Sequence, residues 1–169
     1  MIHDPQEVAR LGRERREENW RFATFLRVVS HGRRRELDAL AIRLGREAAE
    51  QIDCTTCGAC CRDNVIPLTS DEIARLADRA NLSLPLFQAR HLTTDDDGEP
   101  ALDARPCPFL DGSRCAIYPD RPEPCRGYPY IEGPLIDRIP AVLERAEVCP
   151  IVFEVLERLK DVLGFRRLA

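Results

Sequence analysis

Apolar positions in the first fifty residues recur at three- and four-residue steps, which is the spacing of an amphipathic helix. One such stripe runs from residue 37 to residue 52, and an earlier one runs from residue 22 to residue 29. The tripeptide SHG at residues 30–32 predicts a break between them, so we expect a helical hairpin or a kinked pair. No cysteine lies in this part of the sequence. We therefore expect residues 1–50 to form an N-terminal helical arm that packs or mediates association.

The pattern changes at Cys54, after which short apolar stretches alternate with turn signals. The sequence TSDE at residues 69–72 has the spacing of a capping box and predicts the start of a short helix. The pairs Asp97-Gly98 and Asp111-Gly112 each predict a tight turn, so we expect one or two small β-hairpins. Pro150 is suited to the first position of a closing helix.

Five prolines between residues 119 and 134 predict an irregular segment, because proline lacks the amide donor that regular structure needs. Such a segment must be held by something other than backbone ladders, and thiolate–metal bonds can do this. We therefore predict a mainly α fold with small irregular β-hairpins. It comprises a small cysteine-rich, metal-stabilised domain over residues 51–169, with a closing C-terminal helix, behind the N-terminal helical arm at 1–50.

The overall composition sets limits on location and partners. A net charge of -4 over 169 residues gives no general attraction to nucleic acid or to an anionic membrane. The N-terminus is charged and has no apolar h-region of a secretory signal, and no stretch approaches the roughly 20 apolar residues of a membrane span. We therefore expect a cytoplasmic protein, in which eight cysteines indicate metal binding or redox chemistry rather than disulfides.

The strongest chemical signal is the sequence CTTCGACC, which contains Cys54, Cys57, Cys60 and Cys61. Two-residue gaps let successive thiolates surround one centre, as in the C-x2-C-x2-C segments of bacterial iron–sulfur proteins. Zinc also accepts such pairs, but it usually takes one close pair from each of two separated segments. The spacing therefore favours iron–sulfur and leaves zinc open. Since adjacent side chains diverge, Cys61 is expected to bind a second centre or to be a free thiol beside the first.

Four further cysteines follow, and they are Cys107, Cys115, Cys125 and Cys149. Eight thiols are enough for two four-thiolate sites, and one site with spare thiols is the alternative.

Two arginines flank Cys125 in the sequence YPDRPEPCRGYP, namely Arg121 and Arg126. Both are candidate cofactor-binding residues, because a guanidinium can donate hydrogen bonds to cluster sulfurs or thiolates and offset their charge. The alternative is that they hold the irregular loop by donating to its carbonyl groups.

The motif CTTCGACC and the downstream sequence CPFLDGSRCAIYPDRPEPCRGYP resemble the YkgJ-like cysteine-cluster proteins, a family defined by CxxCxxCC and described as zinc- or iron-chelating. The resemblance covers roughly residues 50 to 150, and all eight cysteines fall where the family pattern has them. It implies that all eight are metal ligands. Some members of the family are called iron–sulfur oxidoreductases, and a related domain occurs in a flagellin lysine methylase.

These observations predict a metal-binding protein that uses an iron–sulfur cluster, or zinc or iron ions, for redox chemistry, electron transfer, or metal sensing or carrying. The alternatives are a metalloenzyme with one open metal site and a zinc-stapled interaction module. Whether a reaction is catalysed stays open, since no nucleophile–base pair or glycine-rich nucleotide loop is visible. The expected partner is the metal ion or cluster, with a redox or protein partner through the N-terminal helices.

Overall fold

The computed structural model describes residues 2–166, without the side chain of residue 104. Its contacts divide the chain into two compact units. The helical unit consists of Met1–Cys54 and Pro129–Ala169, and the cysteine unit consists of Thr55–Tyr128. The segments that flank the cysteine unit in sequence therefore belong to one unit.

Helices and short strands alternate along the described chain. The helices are α1 (Pro5–Glu14), α2 (Arg16–Val29), α3 (Arg34–Ala49), α4 (Cys54–Cys57), α5 (Ser70–Arg79), α6 (Leu84–His91), α7 (Glu123–Gly127), α8 (Ile139–Arg145) and α9 (Pro150–Val162). The strands are β1 (Asn64–Pro67), β2 (Leu92–Thr94), β3 (Pro100–Ala104), β4 (Leu110–Asp111) and β5 (Arg114–Cys115). Two 3-10 helices cover Cys60–Arg62 and Tyr118–Asp120.

The helical unit is organised around the contact between α3 and α9. Each helix buries one apolar stripe, because leucine, valine and alanine recur there at three- and four-residue steps. The buried positions are Leu37, Ala41, Leu44 and Ala48 on α3, and Val152, Val155, Leu156 and Leu159 on α9. Burying one such leucine or valine stabilises the fold by roughly 1.5–3 kcal/mol relative to leaving it exposed. The stripe predicted over residues 37–52 is thus confirmed as a core face.

The single lysine of the chain, Lys160, is fully buried in the helical unit. Its ammonium group donates to Glu18 at 2.7 Å, to Asn19 at 2.6 Å and to Glu157 at 2.5 Å. An ammonium has three N–H donors, so these acceptors satisfy all of them. The charge is compensated because two of the acceptors are carboxylates, which is the condition for keeping an ion in a protein interior.

The cysteine unit contains a three-stranded antiparallel sheet in the order β1-β3-β2. Leu102 in the central strand pairs with Ile66 of β1 on one side and with Leu92 of β2 on the other. The predicted turn between β2 and β3 is confirmed, and Gly98 adopts a φ of 83° there. The second predicted hairpin is the β4–β5 pair.

Helix α5 begins with the predicted capping box. The Thr69 side chain accepts the Glu72 backbone N–H at 3.3 Å, and the Glu72 carboxylate accepts the Thr69 backbone N–H at 3.0 Å. This helix and α6 cover the core of the cysteine unit, whose buried members include Ile66, Leu76, Phe87, Leu102 and Phe109.

The predicted fold class is confirmed, since the described chain is mainly helical with two small antiparallel sheets. The two units differ from the predicted segments 1–50 and 51–169, because α9 was assigned to the cysteine-rich segment and instead packs on α3. The apolar stripes of α3 and α9 bury one another in the core of the helical unit. Within residues 2–166, no helix has both the length and the apolar character needed to cross a membrane.

Candidate metal centre

The CxxCxxCC motif is built from two short helical turns. Helix α4 begins at Cys54 and ends at Cys57, and residues three apart lie on the same side of a helix. The 3-10 helix then begins at Cys60, so Cys60 and Cys61 are its first two residues. One helical turn therefore separates Cys54 from Cys57, and Cys60 and Cys61 are adjacent at the start of the second turn.

Gly58 allows the chain to turn between these two helices. Its φ is 62°, a left-handed conformation that residues with a side chain rarely adopt. A Cβ at this position would lie 2.8 Å from the backbone oxygen of Ser113. Only glycine therefore permits both the turn and the close approach of the motif to the β4–β5 hairpin.

Arg62 connects the motif to the same hairpin. Its guanidinium donates to the Cys57 carbonyl at 3.3 Å and to the Gly112 carbonyl at 2.5 Å. The sequence alone did not indicate this residue, because no spacing rule predicts which carbonyl groups an arginine will reach. Its position directly after the last motif cysteine was the only available signal.

Backbone hydrogen bonds bring two downstream cysteines to the motif. The Cys107 N–H donates to the Cys61 carbonyl at 2.7 Å. The Cys107 carbonyl in turn accepts the Leu110 N–H at 3.1 Å, and Leu110 pairs with Cys115 across the β4–β5 hairpin. This chain of contacts links Cys61, Cys107 and Cys115 through the backbone.

Helix α7 carries Cys125 to the same core. The Glu123 N–H at its start donates to the Glu72 carboxylate at 2.8 Å, the group that also caps α5. Cys125 and Cys107 are both partly buried against the core of the cysteine unit. Glu72, which belongs to the capping box of α5, thus also binds the start of the helix that contains Cys125.

The thiols of Cys61, Cys107, Cys115 and Cys125, which we call the cysteine quartet, are electrostatically linked. Burial raises the pKa of Cys107 to about 11 and that of Cys125 to about 12, and it also raises the pKa of Cys115. Negative charge on another quartet thiol adds to each increase, and every pair of the quartet is linked in this way. The backbone contacts of Cys61, Cys107 and Cys115, and the core that Cys107 and Cys125 share, place these four residues in one part of the cysteine unit.

Cys61 is the thiol of this quartet that ionises most easily. A hydrogen bond from the Cys60 side chain lowers its pKa to about 7, against the opposing effect of burial. The guanidinium groups of Arg62 and Arg121 act in the same direction as that hydrogen bond. Because metal ligands must be thiolates, this environment prepares one of the four for binding.

The two predicted arginines have different surroundings. Arg126 donates to the Pro119 carbonyl at 2.5 Å and lies 3.9 Å from the Glu123 carboxylate. Arg121 stacks on the Tyr118 ring, with 3.8 Å between its guanidinium carbon and the ring centroid. The Arg121 Nε is buried and has no hydrogen-bond acceptor in the described part of the chain.

The other predicted ligands are distributed between the two units. Cys57 and Cys60 belong to the cysteine unit, whereas Cys54 and Cys149 belong to the helical unit. Cys54 is exposed, and Cys149 is buried at the residue that precedes α9. The predictions that Cys54, Cys57 and Cys60 share a centre and that Cys149 is a ligand stay predictions.

None of the eight cysteines is in a disulfide. In residues 2–166, no three His, Cys, Asp or Glu side chains are already arranged around a single ion position. The donor chemistry fits zinc and iron, because soft thiolates select these metals over magnesium or calcium. Two nearby cations, Arg62 and Arg121, suit the negative charge that several metal-bound thiolates carry.

Comparison with known families agrees with this donor set. A family model with the description "CxxCxxCC: Putative zinc- or iron-chelating domain" matches residues 53–150, which include all eight cysteines. No curated protein and no solved structure matches the chain.

Proposed function

Because the chain belongs to the CxxCxxCC family of zinc- or iron-chelating domains, we propose that its thiolates hold iron as an iron–sulfur cluster, in preference to zinc. Membership of the family indicates metal binding in general. The identity of the metal and its use are our proposal.

The observation that carries the proposal is the cysteine quartet. Four cysteines from three separate segments of sequence are partly buried in the cysteine unit, where backbone hydrogen bonds and a shared core connect them, and arginine side chains lie near them. Buried thiols with no metal role behave as small apolar side chains and do not need cationic neighbours. A group of thiols with cations beside it is suited to become a group of thiolates, which is the form that binds metal.

We assign the quartet to one centre and the three regularly spaced thiols of Cys54, Cys57 and Cys60 to another. Spacing supports the second assignment, since two-residue gaps present three thiolates to one cluster. Adjacent Cys60 and Cys61 then serve different centres, which agrees with the divergence of neighbouring side chains. Cys149 completes the set of eight proposed ligands.

Iron is favoured over zinc because three close ligands with a remote fourth are the pattern of iron–sulfur segments, whereas zinc usually takes two separated pairs. Such a centre suits electron transfer, redox sensing or metal carrying in the reducing cytoplasm. Thiolate ligands also stay available there without forming disulfides.

Anaerobic purification followed by metal analysis and visible spectroscopy tests the proposal. The expected result is a coloured protein with iron and acid-labile sulfide, whose broad visible absorption weakens on reduction and disappears on oxidative loss of the cluster. A colourless protein with stoichiometric zinc would instead identify a zinc-stapled interaction module. A protein without either metal would contradict the proposed function as a whole.

A further inference from the structure

Helix α2 buries one face in the helical unit and exposes the opposite face. Its buried residues are Asn19, Phe22, Ala23 and Leu26. On the opposite face, the side chain of Trp20 is 44% exposed, that of Val28 is 71% exposed, and Thr24 between them is exposed as well. Residues four apart lie on successive turns of one side of a helix, so these three form a continuous row. A single apolar residue at a surface is ordinary, whereas a tryptophan in line with a valine indicates an interaction surface.

Charged residues of opposite sign accompany this row at its two ends. Glu17 is in the first turn of α2 and Arg27 is in the last turn, and both are exposed. Neither side chain forms an ion pair with another described residue. We call Glu17, Trp20, Thr24, Arg27 and Val28 the outer face of α2. Its charges are thus available to a partner whose charges run in the opposite order.

The outer face of α2 is complementary to a second copy of itself in the antiparallel direction. Trp20 comes four residues before Thr24 and Val28 comes four residues after it, so two copies centred on Thr24 place each Trp20 beside the partner's Val28. The small Thr24 side chain at the centre lets the two helices approach closely, since interaxial distance depends on the residues at the contact. Its hydroxyl already donates to the Trp20 carbonyl at 3.3 Å, so it needs no acceptor from a partner.

The charges also select the antiparallel direction. In that arrangement the partner's Arg27 lies one helical turn from the position opposite Glu17, a distance that its long side chain spans. A parallel arrangement would instead place Glu17 beside the partner's Glu17, and like charges oppose association.

We propose that the outer face of α2 is a self-association surface, on which a second copy of the chain docks in the antiparallel direction. Trp20 packs beside the partner's Val28, and Glu17 pairs with the partner's Arg27. One helix face offers less area than the roughly 800 Å² that each partner buries in a standard interface, so we expect a weak dimer that dissociates at micromolar concentrations. This function goes beyond metal binding and does not depend on it.

The experiment uses the full chain in a reducing buffer, which prevents disulfide cross-links between its cysteines. Sedimentation velocity over a series of protein concentrations measures the dissociation constant of the dimer. Trp20 is the single tryptophan of the chain, so its fluorescence gives a second measurement. We expect its emission maximum to move to shorter wavelength as the concentration rises, because the indole ring leaves water when the dimer forms.

Trp20→Ala is expected to weaken the dimer at least about 30-fold, the effect of removing an aromatic residue from the centre of an interface. Leu84→Ala is the matched control, because Leu84 is 43% exposed and lies on α6 in the cysteine unit. Its dissociation constant stays within about twofold of that of the unmodified chain. Circular dichroism checks that each variant keeps its helices.

Charge reversal tests the direction of docking. Glu17→Arg and Arg27→Glu are each expected to weaken the dimer about tenfold, because each reversal creates two like-charge pairs in a symmetric dimer. The double variant Glu17→Arg/Arg27→Glu regains the affinity, since opposite charges face one another again. An equimolar mixture of the two single variants regains it for the same reason.

Three results would overturn the proposal. The first is an unmodified chain that stays monomeric at every concentration. The second is a dimer that Trp20→Ala forms as tightly as Leu84→Ala, which would place the interface on another face. The third is a double charge reversal that binds no better than the single ones. If Trp20→Ala does not fold, Val28→Glu replaces it, and a dimer as tight as that of the control again contradicts the proposal.

Discussion

The backbone N–H of Cys107 donates a 2.7 Å hydrogen bond to the carbonyl of Cys61. These residues lie 46 positions apart, as their numbers show, so this bond joins the last cysteine of the motif to the first cysteine of the downstream segment. It gives the two halves of the family pattern a direct structural connection.

If the quartet is one centre, Cys61→Ser and Cys125→Ser each remove the same metal equivalent. The double variant then loses no more metal than either single variant, because the ligands belong to one site. Elemental analysis of anaerobically purified protein measures this. Cys57→Ser is the matched control, because Cys57 is assigned to the other centre. The metal lost in the double variant Cys57→Ser/Cys61→Ser is therefore expected to equal the sum of the losses in the two single variants. Unchanged metal in Cys61→Ser, with one fewer reactive thiol, would mean that Cys61 is a free thiol.

Gly58→Ala is expected to lower the free energy of unfolding by about 2–4 kcal/mol and to weaken metal binding. The left-handed backbone contributes about 1 kcal/mol, and the contact with the Ser113 backbone oxygen contributes about 1–3 kcal/mol. Gly98→Ala is the control, since Gly98 has a φ of 83° with no atom within 4 Å of the added Cβ. Urea unfolding measures both variants, and equal losses would show that the close approach to Ser113 is unimportant.

Lys160→Met is expected to destabilise the protein by about 3 kcal/mol, because it leaves the carboxylates of Glu18 and Glu157 in a partly buried position without their shared cation. The control is Arg43→Met, which removes an exposed partner 4.0 Å from Glu47 and costs at most about 0.5 kcal/mol. The helical circular dichroism signal followed in urea gives both values. A Lys160→Met variant as stable as the control would mean that the buried network is dispensable.

Metal removal is expected to expose the segment between Cys107 and Tyr128 to protease, while α2 and α3 are cleaved more slowly. The regular structure of this segment consists of the β4–β5 hairpin, whose strands have two residues each, a 3-10 helix and the short helix α7. So few backbone hydrogen bonds are not expected to keep the segment folded without metal. Limited trypsin digestion before and after chelation, read by mass spectrometry, measures the order of cleavage. Identical digestion of both forms would mean that the metal has no structural role.

The sequence by itself determined the features that depend on a few neighbouring residues. The capping box of Thr69 and Glu72, the turns at Gly98 and Gly112 and the start of α9 at Pro150 were all predicted and are all confirmed. Their physical causes are local, since a cap, a positive φ or a missing amide acts within about one turn of chain. The number and spacing of the cysteines made them candidate ligands, and the family resemblance implied that all eight bind metal, which stays a prediction.

The strand β1 and the position of α9 were decided only by the tertiary structure. Strand β1 has four residues and pairs with β3, which begins more than thirty residues later, so no local pattern indicated it. Helix α9 carries an apolar stripe that could pack on any complementary surface, and the stripe on α3 proved to be its partner. Long-range partners depend on how whole surfaces fit together, which periodicity does not encode.

The same limit applies to the candidate metal centre. Sequence identified the cysteines but left open which of them lie together, and it treated Arg121 and Arg126 alike while missing Arg62. The structure separates these arginines by their contacts: Arg62 and Arg126 donate to carbonyls, whereas Arg121 stacks on Tyr118 beside the quartet. The reason is physical, because a long flexible side chain takes its role from the groups that folding brings within its reach.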